Sequence, residues 1–323
     1  MSKNLVLVTG GNGFIGSALS EKLAVNPAFH VRVAARTPCE SASMTTDFVR
    51  VGDIGEDCDW SAALQGVDCV VHTAARVHVM NDTAADPLAA FRQVNLLGTM
   101  QLARQAADAG VRRFIFISSI KVNGEQTKPG SAFHADDQPN PSDPYGVSKA
   151  EAEQALLVFA QSSNMTVVII RPVLVYGPGV KANFHNMIKW VNSGVPLPFG
   201  AVDNRRSFIS IDNLIDLIVT CIHHPGASNQ IFLASDGQDV STTKLLELIA
   251  DALDRPSRLV PIPSIVLYWG ASLVGLRSVA QRVLGSLQVD VGKNLKVLGW
   301  RPVYSVEEGV KRTVRPYRQS SRS

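Results

Sequence analysis

The stretch Val8-Thr9-Gly10-Gly11-Asn12-Gly13-Phe14-Ile15-Gly16 decides how the rest of the chain is read. An apolar, β-branched run at residues 5–9 precedes it and a helix-period segment at 14–25 follows it, so it is predicted to be a strand-to-helix turn. Glycine in such a turn permits positive φ and lets the backbone approach a pyrophosphate closely. The helix beyond it presents free N–H groups and a favourable dipole to an anion. A dinucleotide site is therefore predicted, with Gly10, Asn12, Gly13, Phe14, Ile15 and Gly16 as its contacts. The alternative is a turn that holds nothing.

The next strand-like run ends Val33-Ala34-Ala35-Arg36-Thr37. Folds that prefer NAD place an Asp or Glu here to bond the ribose 2′-hydroxyl. Arg36 instead offers a guanidinium fork suited to a 2′-phosphate. NADP(H) is the favoured reading, with NAD(H) as the alternative and an Arg36 that only faces solvent as a third.

Further strand-like runs at residues 69–72, 114–118 and 167–171 are apolar without polar alternation, as strands buried on both faces should be. Helix-period segments at 84–109 and 145–163 lie between them. The alternation predicts an α/β chain with a doubly wound parallel sheet of Rossmann type. Residues 1–172 are expected to form the dinucleotide-binding domain, with segments returning from about 207–235. Residues 173–317 should form a smaller mixed α/β substrate lobe, with helices at 212–223, 242–254 and 305–316, and 318–323 a frayed tail.

With 31 basic and 28 acidic residues the formal net charge is +3, and no basic block marks a nucleic-acid surface. Cys39, Cys58, Cys69 and Cys221 form neither a C-x-x-C pair nor a ligand spacing with histidine, so no metal is expected and reduced thiols are. The N-terminus shows no apolar signal region, which points to the cytoplasm. The apolar stretch 262–276 is shorter than the roughly 20 residues a spanning helix needs. A buried or lipid-leaning helix is expected there.

Asp143-Pro144-Tyr145-Gly146-Val147-Ser148-Lys149 sets a phenol and an ammonium one helical turn apart on the same face. A neighbouring cation should lower the phenol's pKa from about 10 towards useful acid–base chemistry. The strand Phe114-Ile115-Phe116-Ile117-Ser118-Ser119 ends in two hydroxyls at the carboxyl edge of the sheet, where open α/β folds bind ligands. With a nicotinamide supplying hydride, serine, tyrosine and lysine make a hydride-transfer constellation.

Taken together, these motifs resemble the extended short-chain dehydrogenase/reductase family (NAD-dependent epimerase/dehydratase), over nearly the whole chain. The resemblance implies Ser119, Tyr145 and Lys149 as catalytic residues. It adds Asp53 and Ile54 near the adenine, Thr73, Ala74 and Ala75 beside the cofactor, and Asn95 and Pro172. Ile120-Lys121 follow Ser119 where sugar dehydratases of the family carry an Asp-Glu pair, so dehydration is not expected. Ser118 to Gly124 and Arg171 to Asn183 are similar to bacterial UDP-4-keto-6-deoxy-N-acetylhexosamine 4-reductases. That implies a C4-ketoreductase for surface-polysaccharide sugars, drawing on NADPH.

The same resemblance places Arg206 on a UDP-sugar's diphosphate, with Asn183 and Asp290 as further substrate contacts, and implies a homodimer built on the helices at 84–109 and 145–163. For the substrate residues, a surface salt bridge or helix cap is the alternative. Three rival functions remain open: a UDP-glucose or UDP-N-acetylglucosamine 4-epimerase with bound NAD, a non-catalytic NADP(H)-sensing protein, and a reductase of apolar ketones.

Overall fold

The computed structural model describes residues 4–38, 46–77, 86–128, 130–273 and 275–320. Among the described residues seven parallel strands form the central sheet, in the order β3-β2-β1-β4-β5-β6-β9. They are β1 (Asn4–Thr9), β2 (Phe29–Ala35), β3 (Thr46–Arg50), β4 (Cys69–His72), β5 (Arg113–Ile117), β6 (Thr166–Pro172) and β9 (Gln230–Ala234). Alternate residues feed the two faces. Val6 and Val8 of β1 join one apolar cluster while Leu7 joins the other, and β5 divides Ile115 and Ile117 from Phe114 and Phe116. Each such fully buried side chain contributes about 1.5–3 kcal/mol.

Helices α1 (Phe14–Ala24), α2 (Ser61–Leu64), α3 (Pro87–Arg92), α4 (Thr99–Asp108), α5 (Pro144–Gln161) and α7 (Ile211–His223) accompany this sheet. A second lobe is built on the strand pair β7 (Leu174–Tyr176) and β8 (Phe208–Ser210) with α6 (Ala182–Ser193), α8 (Thr242–Ala252) and α12 (Val306–Ser320). The core of this lobe gathers Tyr176, Phe184, Ile188, Leu245, Ile249 and Val310. Helices α9 (Ser264–Leu273) and α10 (Arg277–Leu284) follow α8, and α11 (Gly292–Leu298) returns to the sheet, with Leu298 in the sheet's core and Asn294 donating to the Leu233 carbonyl of β9 at 2.9 Å.

Two expectations are revised, one strand is added, and one of two alternatives is removed. The helix expected at 84–109 starts at Pro87 among the described residues, Ala84 and Ala85 lying outside them, and a π-helical turn at Gln93–Gly98 interrupts it. β3 is an edge strand whose polar Thr46, Asp47 and Arg50 hid it from an apolar-run search. Residues 318–320 are not frayed but extend α12, while 321–323 lie outside the described residues. The apolar stretch 262–276 does not bury: α9 contains no buried residue. Cys58, Cys69 and Cys221 are free and buried, and Cys39 lies outside the described residues.

Candidate active site

The glycine turn is closed by backbone alone. Gly13 N–H donates to the Gly10 carbonyl at 2.8 Å, and no side chain caps the start of α1. Gly10 has φ +70°, and a Cβ on it would lie 2.8 Å from Ala74 backbone atoms. At Gly16 a Cβ would stand 2.3 Å from the Gly10 carbonyl oxygen. Only glycine fits either place. Asn12 anchors the turn to the end of β2 by donating to the Thr37 carbonyl at 2.9 Å. The Thr73 hydroxyl donates to the Thr9 carbonyl at 2.6 Å, holding Thr73, Ala74 and Ala75 beside the turn. Phe14 and Ile15 pack their side chains against the sheet's core. A turn of this form, with an uncapped helix N-terminus behind it, has the geometry that suits a pyrophosphate.

Arg36 does not simply face solvent. Its Nη1 pairs with Asp53 Oδ1 at 3.0 Å, both side chains being largely exposed. An exposed pair contributes about 0–1 kcal/mol, so either partner is free to turn to a ligand. The edge of the sheet beside the glycine turn thus presents an acid as well as a base. Ile54 packs partly buried nearby, where a Cβ on Gly98 would meet it at 2.5 Å.

Behind the cofactor turn sits a buried polar relay. His72 bonds Thr9 Oγ1 through Nδ1 at 2.7 Å and Thr99 Oγ1 through Nε2 at 3.1 Å. Burial, helped by the charge on Lys149, lowers its pKa to about 3, so the ring is neutral. Asn95, in the π-helical turn, accepts from Arg76 N–H at 2.9 Å and donates to the Arg76 carbonyl and Ser148 Oγ, each at 3.0 Å. Its side chain ties the loop after β4 to α5.

The α5 helix starts on Asp143, whose carboxylate accepts from Gly146 N–H at 2.6 Å, with Pro144 in the first turn. That cap aims Tyr145 and Lys149 at the carboxyl end of β5. Tyr145 stands beside the Ser119 side chain, which favours its ionised form, and meets Phe91 edge-on at 5.9 Å. Ser119 Oγ accepts from Lys121 N–H at 3.2 Å. Lys149 is fully buried, donates to the Ile117 carbonyl at 2.9 Å and lies 4.2 Å above the Phe116 ring.

One electrostatic expectation is corrected. The phenol is not lowered in this chain: burial and the nearby Asp143 charge push Tyr145 up to about 12 against the opposing effect of the Ser119 side chain. Lys149 cannot supply the expected full cation, because burial lowers its own pKa to about 7, opposed only by Glu153. Both shifts arise from desolvation, which one-dimensional spacing does not report.

Glu153 extends the tyrosine–lysine face by one more turn, and sequence reasoning missed it. The spacing 145, 149, 153 was the available signal. Its carboxylate takes the Arg171 guanidinium by Nε at 3.0 Å and Nη2 at 2.5 Å, both side chains being buried. Arg171 Nη1 also donates to Asn123 at 2.9 Å, and Asn123 to the His134 carbonyl at 3.0 Å. Pro172 follows at the end of β6, paired with Ala234 of β9.

The expected substrate contacts are less gathered. Arg206 is desolvated, which lowers its pKa, and donates to the Gly285 carbonyl at 2.9 Å. Thr127 N–H bonds Ser286 and Phe133 N–H bonds Gln288, bringing the 285–290 segment beside the loop that follows Ser119. Asp290 is exposed and accepts from Gly292 N–H at 2.6 Å. Asn183 is exposed in the first turn of α6, and no hydrogen bond joins it to the other named residues.

Comparison with known proteins matches residues 6–234 to the model of the NAD dependent epimerase/dehydratase family. A UDP-glucose 4-epimerase of Vibrio cholerae is 46% identical over 98% of this chain and 96% of its own. A GDP-6-deoxy-D-mannose reductase of Pseudomonas aeruginosa is 26% identical over 95% and 94%. The crystal structure of a UDP-glucuronic acid 4-epimerase from Bacillus cereus in complex with NAD superposes with a TM-score of 0.78 at 24% identity, covering 98% and 99%, a likeness of fold. Glycine cradle, tyrosine–lysine face and family match agree: the chain is an enzyme of the NAD dependent epimerase/dehydratase family, of the extended short-chain dehydrogenase/reductase type.

Proposed function

We propose that this enzyme is a UDP-hexose 4-epimerase, which oxidises C4 of the sugar and reduces it again from the other face. The observation that carries the reading is the near full-length similarity to the Vibrio cholerae UDP-glucose 4-epimerase. The Ser119–Tyr145–Lys149 arrangement supports it. A nicotinamide bound over the glycine cradle would accept the hydride and return it. Tyr145 Oη would take the proton from the C4 hydroxyl and give it back, with Ser119 Oγ orienting that oxygen. Lys149, once charged, would favour the phenolate. Arg206 would face the diphosphate, with Asn183 and Asp290 as weaker candidates on the same lobe.

The Asp53 carboxylate beside Arg36 offsets the guanidinium charge and would repel a 2′-phosphate, which supports NAD in place of the NADP(H) that Arg36 alone suggested. Arg36 still favours a second reading, the NADPH-dependent 4-ketoreductase, since a reductase must exchange its cofactor each cycle. One experiment separates the two. The purified enzyme is given UDP-glucose and UDP-N-acetylglucosamine without added cofactor, and separately UDP-4-keto-6-deoxy-N-acetylglucosamine with NADPH. Interconversion of C4 epimers with no net absorbance change at 340 nm is expected. Stoichiometric NADPH consumption without epimerisation would replace this reading with the reductase.

Assembly belongs to the same proposal. Leu97, in the π-helical turn, and Val158 of α5 expose apolar side chains, which supports a twofold dimer through α3–α4 and α5. Light scattering should give twice the chain mass, and a monomer at micromolar concentration would contradict it.

A further inference from the structure

The second lobe carries a helix whose outward face is apolar. Along α9, Ile265, Val266, Trp269 and Leu273 are 62%, 56%, 63% and 87% exposed. They recur at i, i+1, i+4 and i+8, which is one stripe of a 3.6-residue helix. The opposite stripe, with Leu267, Tyr268 and Ala271, is the half-buried one. A surface helix of a globular domain shows the reverse, with polar side chains outward. Leu276 and Val279 continue the exposed apolar surface into α10.

Charge says what this surface meets. Residues 255–289 contain Arg255, Arg258, Arg277 and Arg282 and no Asp or Glu. Arg277 donates from Nε to the Tyr268 hydroxyl at 2.7 Å and lies 5.7 Å from that ring's centroid, clamping α10 to α9. An exposed apolar helical face carrying a tryptophan, in a segment whose only charged side chains are arginines, has the make-up of an interfacial element: the ring at the headgroup level, guanidinium groups against lipid phosphates. Among the described residues no helix is long and apolar enough to cross a membrane, and a helix as short as α9 lies in the interface plane.

We propose that the α9–α10 hairpin docks the enzyme on the surface of an anionic phospholipid bilayer. The docked face belongs to the lobe that borders the substrate side of the active site. Gln126 Nε2 donates to the Gln281 carbonyl at 3.4 Å at the end of α10, and Thr127 bonds Ser286 just beyond it. Docking therefore holds the mouth of the site close to the headgroups while the cofactor sheet stays in water.

The test uses the full-length enzyme and sedimentation with vesicles of phosphatidylglycerol and phosphatidylcholine, or of phosphatidylcholine alone. The enzyme should sediment with the anionic vesicles, several-fold less with the neutral ones, and less as salt rises. The double variant Trp269→Ser/Leu273→Ser should lower the partition coefficient about tenfold or more, with unchanged circular dichroism and unchanged turnover in solution. Tryptophan emission should shift to the blue on adding anionic vesicles, and Trp269→Phe should remove that shift. Absence of sedimentation at low salt, or a double variant that sediments like the wild type, would overturn the proposal. So would a variant that loses self-association while neither protein binds vesicles, which would assign the face to a second copy.

Discussion

Replacing Lys149 by methionine should stabilise the cofactor-free enzyme at neutral pH, and the gain should shrink as pH rises. Lys149 is fully buried, and its pKa falls from 10.5 to about 7 because burial penalises the ammonium more than Glu153 rewards it. The unfolded chain binds the proton more tightly than the folded one, so folding releases it between these two values. Linkage then makes this lysine a destabilising group below pH 7, one whose cost fades towards pH 10.5. The pair of values gives a cost of about 4 kcal/mol at pH 7 and about 2 kcal/mol at pH 9. Methionine fills much the same volume and has nothing to titrate. Urea unfolding of both proteins at the two pH values, followed by circular dichroism and fluorescence together, supplies the four free energies. The wild type should gain about 2 kcal/mol on the variant between pH 7 and pH 9, since every other titrating group cancels in the difference. A difference that stays constant over that range would refute the reasoning and mean that Lys149 carries its charge in the fold at no cost.

Four other outcomes are expected. Glu153→Gln leaves the buried Arg171 guanidinium without its carboxylate and should cost about 3–5 kcal/mol in thermal or urea unfolding, and an unchanged stability would contradict it. Gly16→Ala forces a methyl against the Gly10 carbonyl, so NAD affinity measured by fluorescence titration should fall more than about tenfold, and wild-type affinity would contradict the cradle. Tyr145→Phe should reduce turnover by about 10²–10⁴ while cofactor binding persists, the loss expected for a removed proton donor. Arg36→Ala should weaken NADPH relative to NADH by about tenfold or more in parallel titrations, whereas equal losses would deny the guanidinium any part in cofactor choice.

What the sequence discloses here is what local chemistry enforces. Gly10 and Gly16 are legible because no other residue fits a turn that approaches a phosphate and packs a helix on a strand. Tyr145 and Lys149 are legible because one helical turn separates them, whatever the tertiary setting. The strand β3 is not, and β9 is foreshadowed only as part of the segment at about 207–235 that returns to the first domain. The first is a polar-edged strand, and the second reaches β6 only after the chain has passed through the other lobe. Missing β3 also hid the Arg36–Asp53 pair, which forms across the ends of neighbouring strands, and with it the argument about NAD. The shifts of Tyr145 and Lys149 come from burial, a sum over elements distant in sequence. The choice between epimerase and reductase lies in how a sugar sits against these groups, and the shared motif spacing is the same for both.

The position of β9 governs how the enzyme can be made. As the ribosome releases residue 172, six of the seven sheet strands exist, and Val168 to Pro172 of β6 present an open edge of N–H and C=O groups. The Arg113 guanidinium, which ends on the carbonyls of Cys221, Ile222 and His224, has none of these acceptors yet. Residues 173–229 must emerge before β9 closes that edge. The nascent chain therefore passes through an interval in which an apolar strand is offered to any passing segment, the kind of surface holding chaperones shield. A chain ended at residue 172 would keep that exposed edge permanently, and would aggregate instead of yielding an isolated cofactor-binding half.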